Sequence, residues 1–126
     1  MPIAYDLALN EIKKHLRSGD VIFTRLNAAM DASSANGKGE VLALIDADGM
    51  MRNIQELQTI EKNKLPIKII VFEKNGANRD LCKIAQAFKI TTCSVIKWET
   101  LLQRLELLFK FKGPFVMVVH TETCIA

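Results

Sequence analysis

The sequence predicts a single α/β domain built on a doubly wound, mostly parallel sheet of five strands with helices on both faces. Two observations carry that expectation. Residues 41–72 read as an apolar run, an acidic-glycine turn, an amphipathic segment and a second apolar run, the order of a strand–turn–helix–strand unit. Strand-length apolar runs recur on either side of this unit, each separated from the next by a segment of helical length, and strands alternating with helices in this way pair in parallel. At 126 residues the chain forms one domain, 1–126, able to bury roughly two thirds of its unfolded surface.

Residues 3–16 set Ile3, Leu7, Ile12 and Leu16 at roughly helical spacing, which predicts an amphipathic helix ended by Ser18, Gly19 and Asp20. Residues 21–24 are short and β-branched, a first strand. Residues 26–34 are rich in small side chains, a helix able to lie close on a sheet, and the turn cluster at 36–39 stops it. Residues 40–45 are apolar at consecutive positions, so this second strand is expected to be buried on both faces. Past the Asp48–Gly49 turn one helix is expected over 51–63, with Ile54, Leu57 and Ile60 inward. Leu65 and Pro66 break it, and 67–72 form the third strand. A loop over 73–78 carries turn chemistry at Asn75–Gly76.

A helix over 79–88 then turns Leu81, Ile84, Ala85 and Phe88 inward, and a strand follows over 91–96. The helix over 98–109 begins at Trp98 and carries Leu101, Leu102, Leu105 and Leu108 as its apolar stripe. Gly113 and Pro114 reset the chain before a fifth strand over 115–119. No linker, internal repeat or low-complexity tract interrupts the series. The architecture is Rossmann- or flavodoxin-like, and such sheets place ligands at the carboxyl ends of their strands, where residues 46–49 would lie.

An apolar share of 49% and a charged share of 25% belong to a soluble globular chain, not a disordered one. The net charge of +3 is interspersed, and the largest basic cluster, Lys13, Lys14, His15 and Arg17, reads as a solvated helix face without a nucleic-acid footprint. Cys82, Cys93 and Cys124 show neither a CxxC pair nor zinc-ligand spacing. Their odd number and the lack of a secretory leader point to a reducing, cytoplasmic setting. No apolar run approaches bilayer length, so no membrane is expected. His15 and His120 have no local link to a cysteine or serine, which speaks against a histidine-dependent site. Cys82 and Cys93 read as small buried apolar residues.

The stretch NIQELQTIEKNKLPIKIIVF at 53–72 resembles the pyrophosphate-binding domain of thiamine-diphosphate enzymes, in particular the acetolactate synthase branch. Members of that family typically read GDG, then a helix opening N-x-QEL, then LPVK-IIV-LNN. The resemblance extends upstream over 26–46, similar to the family's small-residue helix and following strand. It extends downstream through LCKIAQAFKI and GPFVMVV, and so covers most of the chain. It implies a site for thiamine diphosphate anchored by Mg2+, with an aspartate, an asparagine and a backbone carbonyl as metal ligands. Oxygen donors of this kind suit magnesium shared with phosphates. Carried over residue by residue, Asp48 is the aspartate and Gly49 flanks it. The asparagine pair falls on Glu73 and Lys74, Asn75 serves only if the match slips by one residue, and Gly76 is the matched carbonyl donor.

Where the sequence departs from the family, it does so at this edge. Lys74 offers an ammonium where a metal ligand is expected. Met50 and Met51 crowd the start of the helix, Thr24 runs almost directly into Leu26, and the chain reaches Arg79 without the family's usual covering loop. Asp48 therefore has two readings, a metal ligand or a turn residue capping the helix that follows. The family's chemistry also requires a pyrimidine-binding domain that supplies a glutamate, and nothing here resembles it. The resemblance implies a divergent, minimal domain, non-catalytic alone, acting through protein association as a homodimer, with Mg2+ and thiamine diphosphate binding weak or lost. The alternative is one subunit of a split thiamine-diphosphate enzyme that works with a separate pyrimidine-domain chain. A third reading, a flavodoxin-like module for another phosphate ligand, lacks a loop glycine-rich enough to cradle phosphates.

Overall fold

A computed structural model describes residues 2–34, 39–74 and 80–122. Eleven elements follow one another as α1 (Tyr5–Lys14), β1 (Val21–Phe23), α2 (Leu26–Ser34), β2 (Val41–Asp46), α3 (Ala47–Arg52), α4 (Glu56–Lys62), β3 (Ile67–Lys74), α5 (Leu81–Ala87), β4 (Thr91–Val95), α6 (Trp98–Lys110) and β5 (Phe115–Thr121). The strands form one sheet in the order β1-β2-β3-β5-β4, and every pairing in it is parallel. The predicted doubly wound α/β class is the observed one.

The winding follows from the strand order. From β1 to β4 the chain advances across the sheet, and α6 then brings it back to fill the gap between β3 and β4. Because β–α–β crossovers are right-handed, a reversal of direction moves the connecting helix to the other face. One layer accordingly packs α2, α3, α4 and α5 through Leu26, Ala29, Met50, Leu57, Ile60 and Ala85 onto Ala43, Ile69 and Val118. The other packs α1 and α6 through Ile12, Leu101, Leu105 and Leu108 onto Leu44, Ile70 and Met117. The middle strands serve both layers, and β2 is buried from Val41 to Ile45, which explains its unbroken apolar run.

Four local expectations change. The single helix over 51–63 is two helices. Asp46 caps the first, its Oδ1 accepting the Gly49 N–H at 2.6 Å, so α3 begins four residues early and absorbs the supposed turn. Asn53 ends α3 by donating its side-chain amide to the Gly49 carbonyl at 2.9 Å. Bonds from the Glu56 N–H to Asn53 O and from Leu57 N–H to Ile54 O carry the chain through a tight turn into α4. Helical spacing thus persists through the break, and Ile54, Leu57 and Ile60 still face one core. Glu73 and Lys74, expected in a loop, extend β3 opposite His120 and Thr121 of a longer β5. Leu7, expected in the core, is 55% exposed, with Ala8 buried in its place, and Leu102 is 41% exposed.

Lys68 is the buried cation of the core, 2% exposed near the amino end of β3. Its Nζ donates to the carbonyls of Phe111 at 2.5 Å and Gly113 at 2.7 Å, and it lies 5.5 Å from the Phe111 ring centroid. Burial lowers its pKa, opposed by the Glu40 carboxylate. A cation at these carbonyls holds the chain leaving α6, where helix carbonyls lack intrahelical donors. The two ends of the domain also meet, the Glu122 N–H donating to the Ile3 carbonyl at 2.8 Å.

Two stability measurements test these contacts. Lys68→Met removes the donor from both carbonyls and is expected to lower the free energy of urea unfolding by about 1–3 kcal/mol. Lys89, just past α5, holds a φ of 65°, while the Ile90 N–H closes back on the Ala85 carbonyl at 3.2 Å. Glycine suits this left-handed position, so Lys89→Gly is expected to raise the unfolding midpoint, by about 0.5–1 kcal/mol in stability.

Candidate functional site

All five strands point their carboxyl ends the same way, and a cleft of about 690 Å³ opens there beside β1 and β2. Its size is that of a small-molecule site. Tyr5 and Phe72 form part of its apolar wall, their rings edge to face with centroids 4.8 Å apart. Burial, helped by Asp6, raises the Tyr5 pKa, so its hydroxyl stays protonated and able to donate. Polar groups reach the cleft from separate elements: Lys13 from α1, Arg25 from the link between β1 and α2, Asp46 from the end of β2, and Arg52 from the last turn of α3.

The predicted site residues are distributed unevenly around this opening. Gly49 is buried and lines the cleft, its amide held by Asp46. A side chain at Gly49 would start 3.0 Å from Asp46 Oδ1 and 3.9 Å from the Arg52 guanidinium, so a hydrogen there lets carboxylate and guanidinium approach the same backbone. Asp48 is exposed in the first turn of α3, outside the cleft wall. The capping role weighed for Asp48 is filled by Asp46, which stands just before the helix with its carboxylate on the Gly49 amide. Asn75 and Gly76 lie outside the described residues. Glu73 is buried and Lys74 exposed at the end of β3.

A magnesium ion needs several oxygen donors gathered together. Among the described residues no group of three or more His, Cys, Asp or Glu side chains is gathered to hold a metal. The cleft wall carries three cations against one carboxylate, and Asp46 Oδ1 already accepts a backbone amide. The described donors fit an anion better than a divalent cation.

The remaining candidates are structural. His15 stacks on Phe109, with centroids 5.8 Å apart, and its Nδ1 lies 3.0 Å from the Glu11 carbonyl. Lys14 pairs with Glu11, so the basic cluster of the sequence separates, and Lys13 alone of it joins the cleft. Cys82 and Cys93 are half-buried free thiols. Burial raises both, Cys93 to about 11, the opposite of the lowered pKa that activates a nucleophilic cysteine. Sequence reasoning missed Arg25 and Arg52, which no motif marks. The one available signal was Arg25, a charge standing in the shortened link after the first strand.

Comparisons with known proteins add a fold relative. No family model matches the sequence. An uncharacterised protein of Methanocaldococcus jannaschii is 29% identical over 90 residues, 66% of this chain and 18% of that protein. The crystal structure of a candidate thiamin diphosphate-dependent enzyme from Mycobacterium smegmatis superposes with a TM-score of 0.82 at 17% identity, covering 97% of this chain and 32% of that one. The likeness is one of fold. This chain spans about a third of the length of the enzyme and under a fifth of the archaeal protein. Among the described residues no helix is long and apolar enough to cross a membrane.

The raised thiol gives a direct test. In a Cys82→Ser, Cys124→Ser background, the rate at which Cys93 reacts with a disulfide reagent should keep rising about tenfold per pH unit towards pH 11. A rate that levels off near pH 8.5, as for an ordinary thiol, would contradict the burial described for Cys93.

Proposed function

We propose that this chain is a divergent, minimal thiamine-diphosphate-binding-like domain that is not catalytic alone and acts through protein association, as a homodimer, with binding of Mg2+ and thiamine diphosphate weak or lost. One observation carries the reading. A fold shared with part of a longer enzyme is kept through both core layers, while the exposed residue ending β3 at the position matched to an oxygen donor is Lys74. An ammonium there repels the metal that the cofactor's diphosphate would require. Asp48 is left as the one matched carboxylate, and Asn75 would have to supply the second side-chain donor from the neighbouring position.

The second reading, a subunit of a split enzyme, is favoured by coverage: the chain matches 32% of the Mycobacterium smegmatis enzyme, so a partner chain would have to provide the pyrimidine-binding domain. Co-purification of such a chain, with activity on mixing, would favour this reading over the homodimer.

Thermal unfolding with and without Mg2+ plus thiamine diphosphate tests the lead reading. A ligand at about 100 times its Kd stabilises the native state by about 2.7 kcal/mol, several degrees for a domain of this size. No magnesium-dependent shift in Tm is expected at millimolar ligand, together with a dimer mass in sedimentation equilibrium. A magnesium-dependent rise of several degrees would overturn the loss of cofactor binding, and a monomer would overturn the homodimer.

A further inference from the structure

We infer that the cleft at the carboxyl ends of β1 and β2 binds an organic phosphate directly through Lys13, Arg25 and Arg52, without a divalent cation. The inference shares with the proposed function only the reading of this strand edge as the ligand-facing side. Among the described residues the ion pairs are Lys14–Glu11, His15–Glu11 and Lys64–Glu61, and none engages the three cations of the cleft. Asp46 is the acid of the cleft, and its Oδ1 is bonded to the Gly49 amide. The wall therefore carries an excess of positive charge.

The number and origin of these groups select the ligand. A monocarboxylate satisfies one guanidinium fork, whereas a phosphate dianion presents oxygens in several directions and can meet donors arriving from three separate elements. The edge-to-face pair of Tyr5 and Phe72 gives the same cleft an apolar wall, which inorganic phosphate would leave uncovered. A volume of about 690 Å³ has room for the organic body as well. The phosphate contacts come from long side chains, so the missing glycine-rich loop is no obstacle.

Isothermal titration of the full chain with phenyl phosphate in excess EDTA, with inorganic phosphate as comparison, tests this. Saturable binding of one phenyl phosphate per chain is expected, tighter than inorganic phosphate. It should weaken about tenfold or more in Arg25→Gln and in Arg52→Gln, and stay unchanged in Lys112→Gln, an exposed lysine outside the cleft. The inference is overturned if there is no saturable binding, if both arginine variants bind like the parent, or if phenyl phosphate binds no better than inorganic phosphate. Binding that appears only when Mg2+ replaces EDTA also overturns it. The magnesium-dependent thermal shift with thiamine diphosphate is a separate measurement, so either result can fail without the other.

Discussion

The constraint on which the rest of this structure depends is burial of the middle strands on both faces. A strand sandwiched between two helical layers has little solvent side, and β2, β3 and β5 are buried along nearly all of their length, with unbroken apolar runs over 41–45, 69–72 and 115–119. Each crossover must then carry the chain over a covered face and return it in the same direction, which makes the pairings parallel. Parallel pairing collects every carboxyl end at one edge, and the cleft is a product of that geometry before any polar residue is chosen. Burial of this kind supplies roughly 1.5–3 kcal/mol per large apolar side chain, opposed by the conformational entropy of ordering the chain.

The two ends of the sheet handle positive charge differently. At the amino end Lys68 enters the core, and its ammonium is occupied by two carbonyls of the segment after α6. It serves as a fastener. At the carboxyl end Lys13, Arg25 and Arg52 are exposed and have no carboxylate within ion-pair distance among the described residues. The same residue classes are therefore structural in one place and available in the other, and burial with occupied donors separates the cases.

Much of the fold was legible because double burial writes itself into the sequence as unbroken apolar runs, because small residues mark α2, and because α6 carries its periodicity without interruption. Leu7 and Leu102 show the limit of periodicity, which marks a helix more surely than the width of its buried stripe. The α3–α4 break escaped because its turn keeps three-residue spacing, so Ile54 and Leu57 continue the pattern across it. Asp46 as the cap was hidden for a related reason: Asp46 and Asp48 flank Ala47, and only the observed hydrogen bond to Gly49 decides which one directs the helix. The cleft was the least legible part. Lys13, Arg25 and Arg52 come from three elements with no common motif, and their meeting is a property of the tertiary structure.

The bond between Glu122 and Ile3 gives the domain a single point of attachment. A unit whose two ends leave from neighbouring positions can be set into a longer polypeptide like a bead on a thread, without rerouting the host chain across its surface. The same fold accordingly makes up about a third of the longer Mycobacterium smegmatis enzyme.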